Sequence, residues 1–385
     1  MTSRQTTTPT WLVWAAAPAL FSTVTALGWG LARWRQRRAL SLGEEDERST
    51  TVPAVQSLRN QHLVFAAIEL GGTSARAAIA VGRPDQFIER FQVPTSTPRE
   101  TLTLLTAWLA ERHETHPIAA LGVATFGPIL LPSVASSAAS HQVRFGKTPK
   151  KAWQGLALLE ELQQLWERDE QRPASQELAK AIGTRIPVLV DTDVNAPALA
   201  ELAARRSPTD PGGPLVLAYV TVGTGVGVGV AIQDEPLHGR LHPEAGHIRV
   251  VRYPADSYSG SCIWHQDCLE GLCCAGALAE RAKVDASQLA DLADDHPVWK
   301  LAAHYLAQLC WNLSCVLAPH WIVLGGGVMQ RKSLLKKIQS KFVELDRDYL
   351  GIETPVEKYI VSSAYGPHAG LVGACTLAER AWQMR

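Results

Sequence analysis

The chain has 385 residues, which is long for one hydrophobic core and predicts a two-domain globular protein. Its 37 Lys and Arg residues balance 37 Asp and Glu residues, so the chain has no net charge that would attract nucleic acid. We therefore expect no nucleic-acid partner. All seven Cys lie between Cys262 and Cys375, a distribution that argues against a secreted disulfide scaffold and favours a reducing compartment.

The first predicted element is an uncharged apolar segment at 11–32, which follows a tail at 1–10. A helix of about 22 residues, at ~1.5 Å per residue, is long enough to span a bilayer. Four Arg residues follow within 33–38 whereas only Arg4 precedes, which predicts a single N-terminal membrane anchor with the remainder facing the cytoplasm. A cleaved secretory signal and a mitochondrial or other organellar targeting peptide are the alternatives. Residues 33–60, basic and then polar, indicate a juxtamembrane segment and linker.

Strand and helix patterns alternate from residue 61 onward, which predicts an α/β protein. Segments 62–82 and 215–233 each contain an apolar run, a glycine turn and a second apolar run, the pattern of a hairpin. These two similar units indicate a duplicated architecture. The other predictions are helices at 101–114, 156–171 and 176–183, strands at 119–130 and 320–328, and a strand that runs into a helix at 186–206.

Three glycine turns stand at predicted strand ends, in ELGGTS from Glu69, TVGTGVGVG from Thr221 and LGGGV from Leu324. Glycine lets backbone amides approach an anion without a Cβ in the way. A single turn of this kind is more often an ordinary turn or bulge, but three together favour phosphate binding. None has the Walker spacing, and the second lies between strand-like runs, so neither a P-loop nor a dinucleotide-binding fold is supported.

Asp191 and Asp193, in the segment DTDVNAP, stand at the end of the predicted strand that begins at residue 186. A carboxylate at the carboxyl end of such a strand can accept the proton of an attacking hydroxyl. Asp193 or Asn195 can equally be an N-cap that satisfies the free amides of the following helix. The pattern alone leaves both interpretations open.

A metal site is predicted where Cys262, His265 and Cys268 are spaced C-x2-H-x2-C, with His242 and His247 upstream. Two thiolates and two imidazoles suit tetrahedral zinc. The alternative is a pair of buried free Cys with solvent-facing His side chains. Spacing alone does not decide which upstream His belongs to the site.

Together these segments resemble the ROK family of sugar kinases, in particular its bacterial-type fructokinase branch. The resemblance covers about residues 63–380 and rests on IELGGTSARAAIAVG, GVATFGPI, KTPKKAW, DTDVNAPALAE, TVGTGVGVGV, LHPEAGHI, GSCIWHQDCLEGL and IVLGGGVMQ. It implies an actin-like ATPase (ribonuclease H-like) fold of two α/β domains around a cleft. The N-terminal domain would comprise 61–190 and 366–385, and the C-terminal domain, with the zinc loop, 191–365.

The resemblance also implies an activity: ATP-dependent phosphorylation of fructose to fructose 6-phosphate, with Mg²⁺ and a structural Zn²⁺. Asp193 matches the catalytic base of the family. The positions that match sugar-binding residues are Phe126, Gly127, Asp193, Glu244, His247 and Glu270. The positions that match phosphate and nucleotide turns are Gly71, Gly72, Thr73, Gly223, Thr224, Gly225, Gly325, Gly326 and Gly327. The zinc set corresponds to His247, Cys262, His265 and Cys268, which leaves His242 outside it.

The chain departs from the family at Ser74, which stands where Lys usually follows the glycine turn and which removes one phosphate contact. Thr192 agrees with the fructokinase branch. Alternative activities are phosphorylation of another hexose or aminosugar, such as glucose, mannose or N-acetylmannosamine, and a membrane-tethered, non-catalytic sugar sensor. No helix-turn-helix pattern precedes the globular part, which argues against a repressor. A homodimer is compatible with the resemblance.

Overall fold

The computed structural model of the protein describes residues 62–131, 143–207, 213 and 215–385. Two five-stranded mixed sheets organise this part of the chain. The first has the order β3-β2-β1-β4-β7 and contains β1 (Val64–Leu70), β2 (Ser74–Val81), β3 (Phe87–Pro94), β4 (Ile118–Thr125) and β7 (Val188–Thr192). The second has the order β10-β9-β8-β11-β12 and contains β8 (Val216–Val222), β9 (Val226–Ile232), β10 (Glu235–Pro236), β11 (Trp321–Gly325) and β12 (Ile360–Ser362). The short strands β5 (Ile129–Leu130) and β6 (Arg144–Phe145) pair with each other.

The two large sheets repeat one arrangement. In the first, β1 is antiparallel to β2 and parallel to β4; in the second, β8 is antiparallel to β9 and parallel to β11. Both predicted hairpins are therefore confirmed. The central strands are apolar because they are covered on both faces, as in β1, where all seven residues are buried.

Helices cover both sheets. They are α1 (Pro98–Thr115), α2 (Leu158–Arg168), α3 (Pro173–Ala181), α4 (Asn195–Arg205), α5 (Leu269–Cys273), α6 (Ala275–Ala282), α7 (Pro297–Leu317), α8 (Lys332–Asp346), α9 (Val356–Tyr359) and α10 (Ala369–Gln383). Helix α1 begins where the Thr97 hydroxyl accepts a hydrogen bond from the Glu100 N–H, with proline at the first helical position.

Four apolar cores lie in the described part of the chain, and the smallest contains Phe65, Ala120, Ala378 and Ala381. One lies between the first sheet and α1, α2 and α3, and a second between the second sheet and α5, α6, α7 and α8. The third contains α4, α10 and residues of both sheets. Helix α10 lies very close to β4. A Cβ at Gly122 would come within 1.8 Å of the Ala374 carbonyl oxygen, so only glycine allows this approach. The domain boundaries at 190/191 and 365/366 stay a prediction.

The predicted localisation as a membrane-anchored protein is wrong. Among the described residues no helix has both the length and the apolar character that a bilayer requires. The longest described helix, α7, carries Lys300, His304 and Gln308 and contributes many residues to the second core. The segment at 11–32, on which the anchor and the targeting alternatives were predicted, lies outside the described residues.

Candidate functional site

The carboxyl ends of three parallel strands meet at one edge of the first sheet. The registers of β1, β4 and β7 align Leu70, Thr125 and Thr192. Just beyond these ends, the Phe126 N–H donates to the Leu70 carbonyl at 2.8 Å and the Asp193 N–H donates to the Thr125 carbonyl at 2.8 Å. Backbone hydrogen bonds therefore fix Asp193 beside the turn that follows β4.

The two acids of this segment have different environments. The buried Asp191 carboxylate accepts hydrogen bonds from the Thr192 N–H at 2.6 Å and from Asn195 Nδ2 at 2.9 Å, and its other oxygen lies 2.8 Å from His238 Nε2. The Thr192 hydroxyl accepts from the Asn195 N–H at 3.0 Å, at the first residue of α4. Asp191 thus has a structural role, and helix capping does not require Asp193.

Asp193 lies among other acidic groups. Burial, followed by the negative charges of Glu69 and Glu244, raises the pKa of Asp193 to about 7. Burial and the charge of Glu270 likewise raise the pKa of Glu244 to about 7. Such shifts are typical of groups that exchange protons near neutral pH.

The three glycine turns lie near one another. The Thr73 and Thr224 hydroxyl oxygens, one from each hairpin turn, are 2.8 Å apart. The third turn lies beside β8: Gly326 has φ +89°, and a Cβ there would come within 2.4 Å of the Val222 carbonyl oxygen. The backbone conformation and the packing against β8 therefore require glycine at position 326 whether or not a ligand binds this turn.

A cluster of thiol and imidazole groups lies in the loop after β10. The ligand atoms of His247, Cys262, His265 and Cys268 are all within 4.8 Å of one another. Nδ1 of His247 is 3.5 Å from the Cys268 sulfur and 3.7 Å from the Cys262 sulfur, and Nδ1 of His265 is 3.8 Å from the Cys262 sulfur. Nitrogen and sulfur ligands of tetrahedral zinc, with bonds of about 2.0–2.3 Å, are separated by about 3.6 Å. The set therefore fits a zinc ion.

The predicted sugar-binding acids lie next to this cluster. Glu270 Oε1 is 4.0 Å from His247 Nδ1, and its Oε2 accepts a hydrogen bond from the Val226 N–H at 3.0 Å. The segment from Glu244 to His247 packs closely on β9, since a Cβ at Gly246 would come within 1.7 Å of the Val226 carbonyl oxygen. The residues predicted to bind metal and sugar are thus held by the same strand.

The two predicted residues of the β4 turn differ in their surroundings. The Phe126 ring is buried against Phe145 and Trp153, with centroid distances of 5.0 and 5.3 Å. Gly127 lies beside Glu244, whose Oε1 would be 3.6 Å from a Cβ at that glycine. Gly127 is therefore the member of the pair that lies next to a predicted sugar-binding acid.

Glu69 is a candidate that the sequence analysis missed. Its side chain is buried at the end of β1, Oε1 pairs with Arg76 at 2.5 Å, and Oε2 has no hydrogen-bond partner in the described part of the chain. Burial is the main cause that raises the pKa of Glu69, against the lowering effect of Arg76. An acid inside an otherwise apolar strand, two residues before a pair of glycines, is the signal that could have revealed it.

The fold and the convergence of acids and glycine turns define an α/β protein of the actin-like ATPase class. The chain belongs to the ROK family, which matches residues 65–381. The resemblance inferred from the motifs is thereby confirmed.

Known proteins resemble the chain over most of its length. A fructokinase of Pediococcus pentosaceus is 33% identical over 323 residues, which cover 83% of this chain and 99% of that protein. A putative fructokinase of Bacillus subtilis (strain 168) is 33% identical over 320 residues, which cover 82% and 95%. A ROK family glucokinase from Streptomyces griseus, solved in complex with glucose and AMPPNP, shares the fold with a TM-score of 0.59 and 22% identity, covering 82% of this chain and 99% of that one.

Proposed function

We propose that this protein transfers the γ-phosphoryl group of ATP to the 6-hydroxyl of fructose. The predicted enzyme class, a ROK-type fructokinase, is confirmed by curated relatives of that name that are 30–33% identical over most of the chain. The substrate, the base and the metals are our proposal. The observation that carries the mechanism is Asp193, a half-buried acid with a pKa of about 7 at the edge where the glycine turns meet.

Asp193 would act as the general base. Its carboxylate takes the proton of the sugar hydroxyl while that oxygen forms a bond to the γ-phosphorus, and the bond from phosphorus to the β,γ-bridging oxygen breaks to release ADP. A base is most effective when its pKa lies near the working pH, because it is then both available and basic. Asp191 cannot take this role, since its oxygens are occupied by Thr192, Asn195 and His238.

The triphosphate would lie along the glycine turns. Residues 71–73 and 223–225 meet through their threonines, and the turn at 325–327 adjoins β8. Mg²⁺ prefers oxygen ligands, and the buried Glu69 Oε2, which has no hydrogen-bond partner among the described residues, would be available to it as a protein ligand. When bound, the ion would neutralise phosphate charge. The protein's own part is to orient the phosphates with backbone amides.

The sugar would be held on the side of the Cys/His cluster. Glu244 and Glu270 can accept hydrogen bonds from hydroxyl groups of the sugar, and His247 can donate one to them. A zinc ion held by His247, Cys262, His265 and Cys268, the last of them two residues before Glu270, would fix the loop that carries these groups and so pre-organise the pocket for sugar.

Replacement of the base tests the mechanism. Asp193→Asn should lower kcat about 10²–10⁴-fold, the usual contribution of a general base, while fructose binding measured by calorimetry persists. Asp191→Asn is the matched comparison: it should lower the melting temperature, because a buried acceptor of three groups is changed. An Asp193→Asn protein with wild-type kcat would contradict the assignment.

A further inference from the structure

His242 is a buried histidine that belongs neither to the metal cluster nor to the proton transfer. Its side chain is 4% exposed. Across 113 residues of sequence, it contacts the turn that follows β4. A buried imidazole with specific partners on two separate segments needs a reason beyond filling space.

The hydrogen bonds of His242 define its protonation. The Ile129 N–H donates to Nε2 at 3.1 Å, so Nε2 must be the unprotonated nitrogen and Nδ1 carries the proton. Nδ1 lies 3.4 Å from the Pro243 carbonyl oxygen and 3.6 Å from Glu244 Oε1. Burial lowers the pKa of His242, which favours the neutral form. The ring thus connects the β4 turn on one side with the Glu244 segment on the other.

Gly127 fits closely against this ring. A Cβ at Gly127 would come within 3.0 Å of His242 Cε1 and 3.2 Å of Nε2. Such a distance is shorter than ordinary van der Waals contact, so a side chain there would push the imidazole away. The turn and the ring are complementary in shape as well as hydrogen-bonded.

We propose that His242 is a positioning residue for the sugar. By holding the β4 turn and Glu244 at a fixed separation, it sets the width of the pocket between two groups predicted to contact the sugar, Gly127 and Glu244. This inference rests on the proposed function, because both contacts were assigned for a sugar substrate.

Two substitutions at His242 test the inference. His242→Leu keeps volume but leaves the buried Ile129 N–H without an acceptor, whereas His242→Gln places an acceptor oxygen near the position of Nε2. We expect His242→Leu to weaken fructose binding about tenfold and to raise the KM for fructose, with the KM for ATP and the zinc content unchanged. His242→Gln should recover most of the loss. Equal loss in both variants, unchanged fructose affinity in His242→Leu, or equal loss for fructose and ATP would overturn the proposal.

Gly127→Ala provides a second route if His242→Leu does not fold. The added methyl group should weaken fructose binding in the wild-type background and have less effect in a His242→Ala background, where the ring is absent. Independent, additive effects would overturn the proposal. Binding is measured separately from turnover. If the wild-type protein binds fructose without phosphorylating it, the proposed kinase activity is contradicted, but the role of His242 is still tested. If the wild-type protein binds no hexose, both proposals are contradicted.

Discussion

Asp193 is surrounded by acids, and its position has a consequence for the pH dependence of activity. The nearby Glu69 and Glu244 and the burial of the carboxyl raise the pKa of Asp193 to about 7, and Glu244 has a similar value. Because the base must be unprotonated, kcat/KM for fructose should rise with pH and level off above about 7. The two carboxyls titrate as a coupled pair, so the profile reports values of the pair. An acid limb near pH 4 would contradict this environment.

The same shift affects stability. Between about pH 4 and 7 folded Asp193 retains a proton that the unfolded chain has released, so the contribution of this residue to the free energy of unfolding decreases as the pH rises through that window. Asp193→Asn should therefore melt at a higher temperature than wild type at pH 8, with the difference vanishing toward pH 4. Thermal unfolding at both pH values measures it. A variant less stable than wild type at pH 8 would show that Asp193 has favourable partners.

The partners of individual side chains could not be predicted from the sequence. The pattern DTD identifies two acids but does not reveal that Asp191 is hydrogen-bonded to His238, a partner 47 positions away. The structure separates the two acids because it shows which oxygens are occupied. His242 lies outside the cluster of His247, Cys262, His265 and Cys268. Its contact with Ile129 depends on tertiary structure alone.

At the scale of elements, the zinc loop is predicted to support both stability and sugar binding. If the cluster holds the proposed zinc, Cys262→Ser should lose the metal, lower the melting temperature and weaken fructose binding, because the ion would fix His247 beside Glu270. Metal analysis, thermal unfolding and calorimetry measure the three effects. Cys274→Ser is the control: Cys274 is buried nearby, outside the cluster, and its sulfur is 3.7 Å from the Ser261 hydroxyl. Normal fructose affinity in zinc-free Cys262→Ser would separate the two roles.

The first hairpin turn makes a different prediction. Ser74 begins β2 directly after the glycine turn. Ser74→Lys places a cation beside the proposed phosphates and should lower the KM for ATP about tenfold, while the KM for fructose stays within twofold. Ser74→Gln, which adds length without charge, is the matched control. An equal change in both variants would show that the turn does not contact phosphate.

Several elements were predicted from local patterns, but β3 and α7 are among those that were not. The hairpins were recognised from apolar runs around glycine turns, and α1, α2 and α3 from helical spacing. Strand β3 is an edge strand whose residues, apart from the buried Val93, alternate between half-buried and exposed, and polar side chains at Glu89, Arg90 and Gln92 interrupt its apolar residues. Helix α7 is apolar around much of its circumference because it is buried between neighbours, which weakens the helical period.

At the scale of the whole molecule, the family resemblance contributed what local patterns could not. Strand pairing such as β1 with β4 joins segments that are separated by a helix, and only the known fold of the family predicts it. The prediction of a membrane protein relied on the apolar segment at 11–32 and the charges that flank it, and nothing in the described part of the chain supports it. The site itself depends on both sheets, because Thr73 and Thr224 meet between the two hairpins.

The measurement that tests the central proposal most directly is phosphorylation of a sugar panel by the full chain with Mg-ATP, followed by ADP release and product identification. We predict fructose 6-phosphate as the product, with kcat/KM for fructose at least about tenfold above those for glucose, mannose and N-acetylmannosamine, a preference that one or two specific hydroxyl contacts can supply. Asp193→Asn serves as the inactive control. Release of ADP with none of these sugars, or a preference for another hexose, would contradict the proposed function, and sugar binding without ATP binding would indicate a sensor instead.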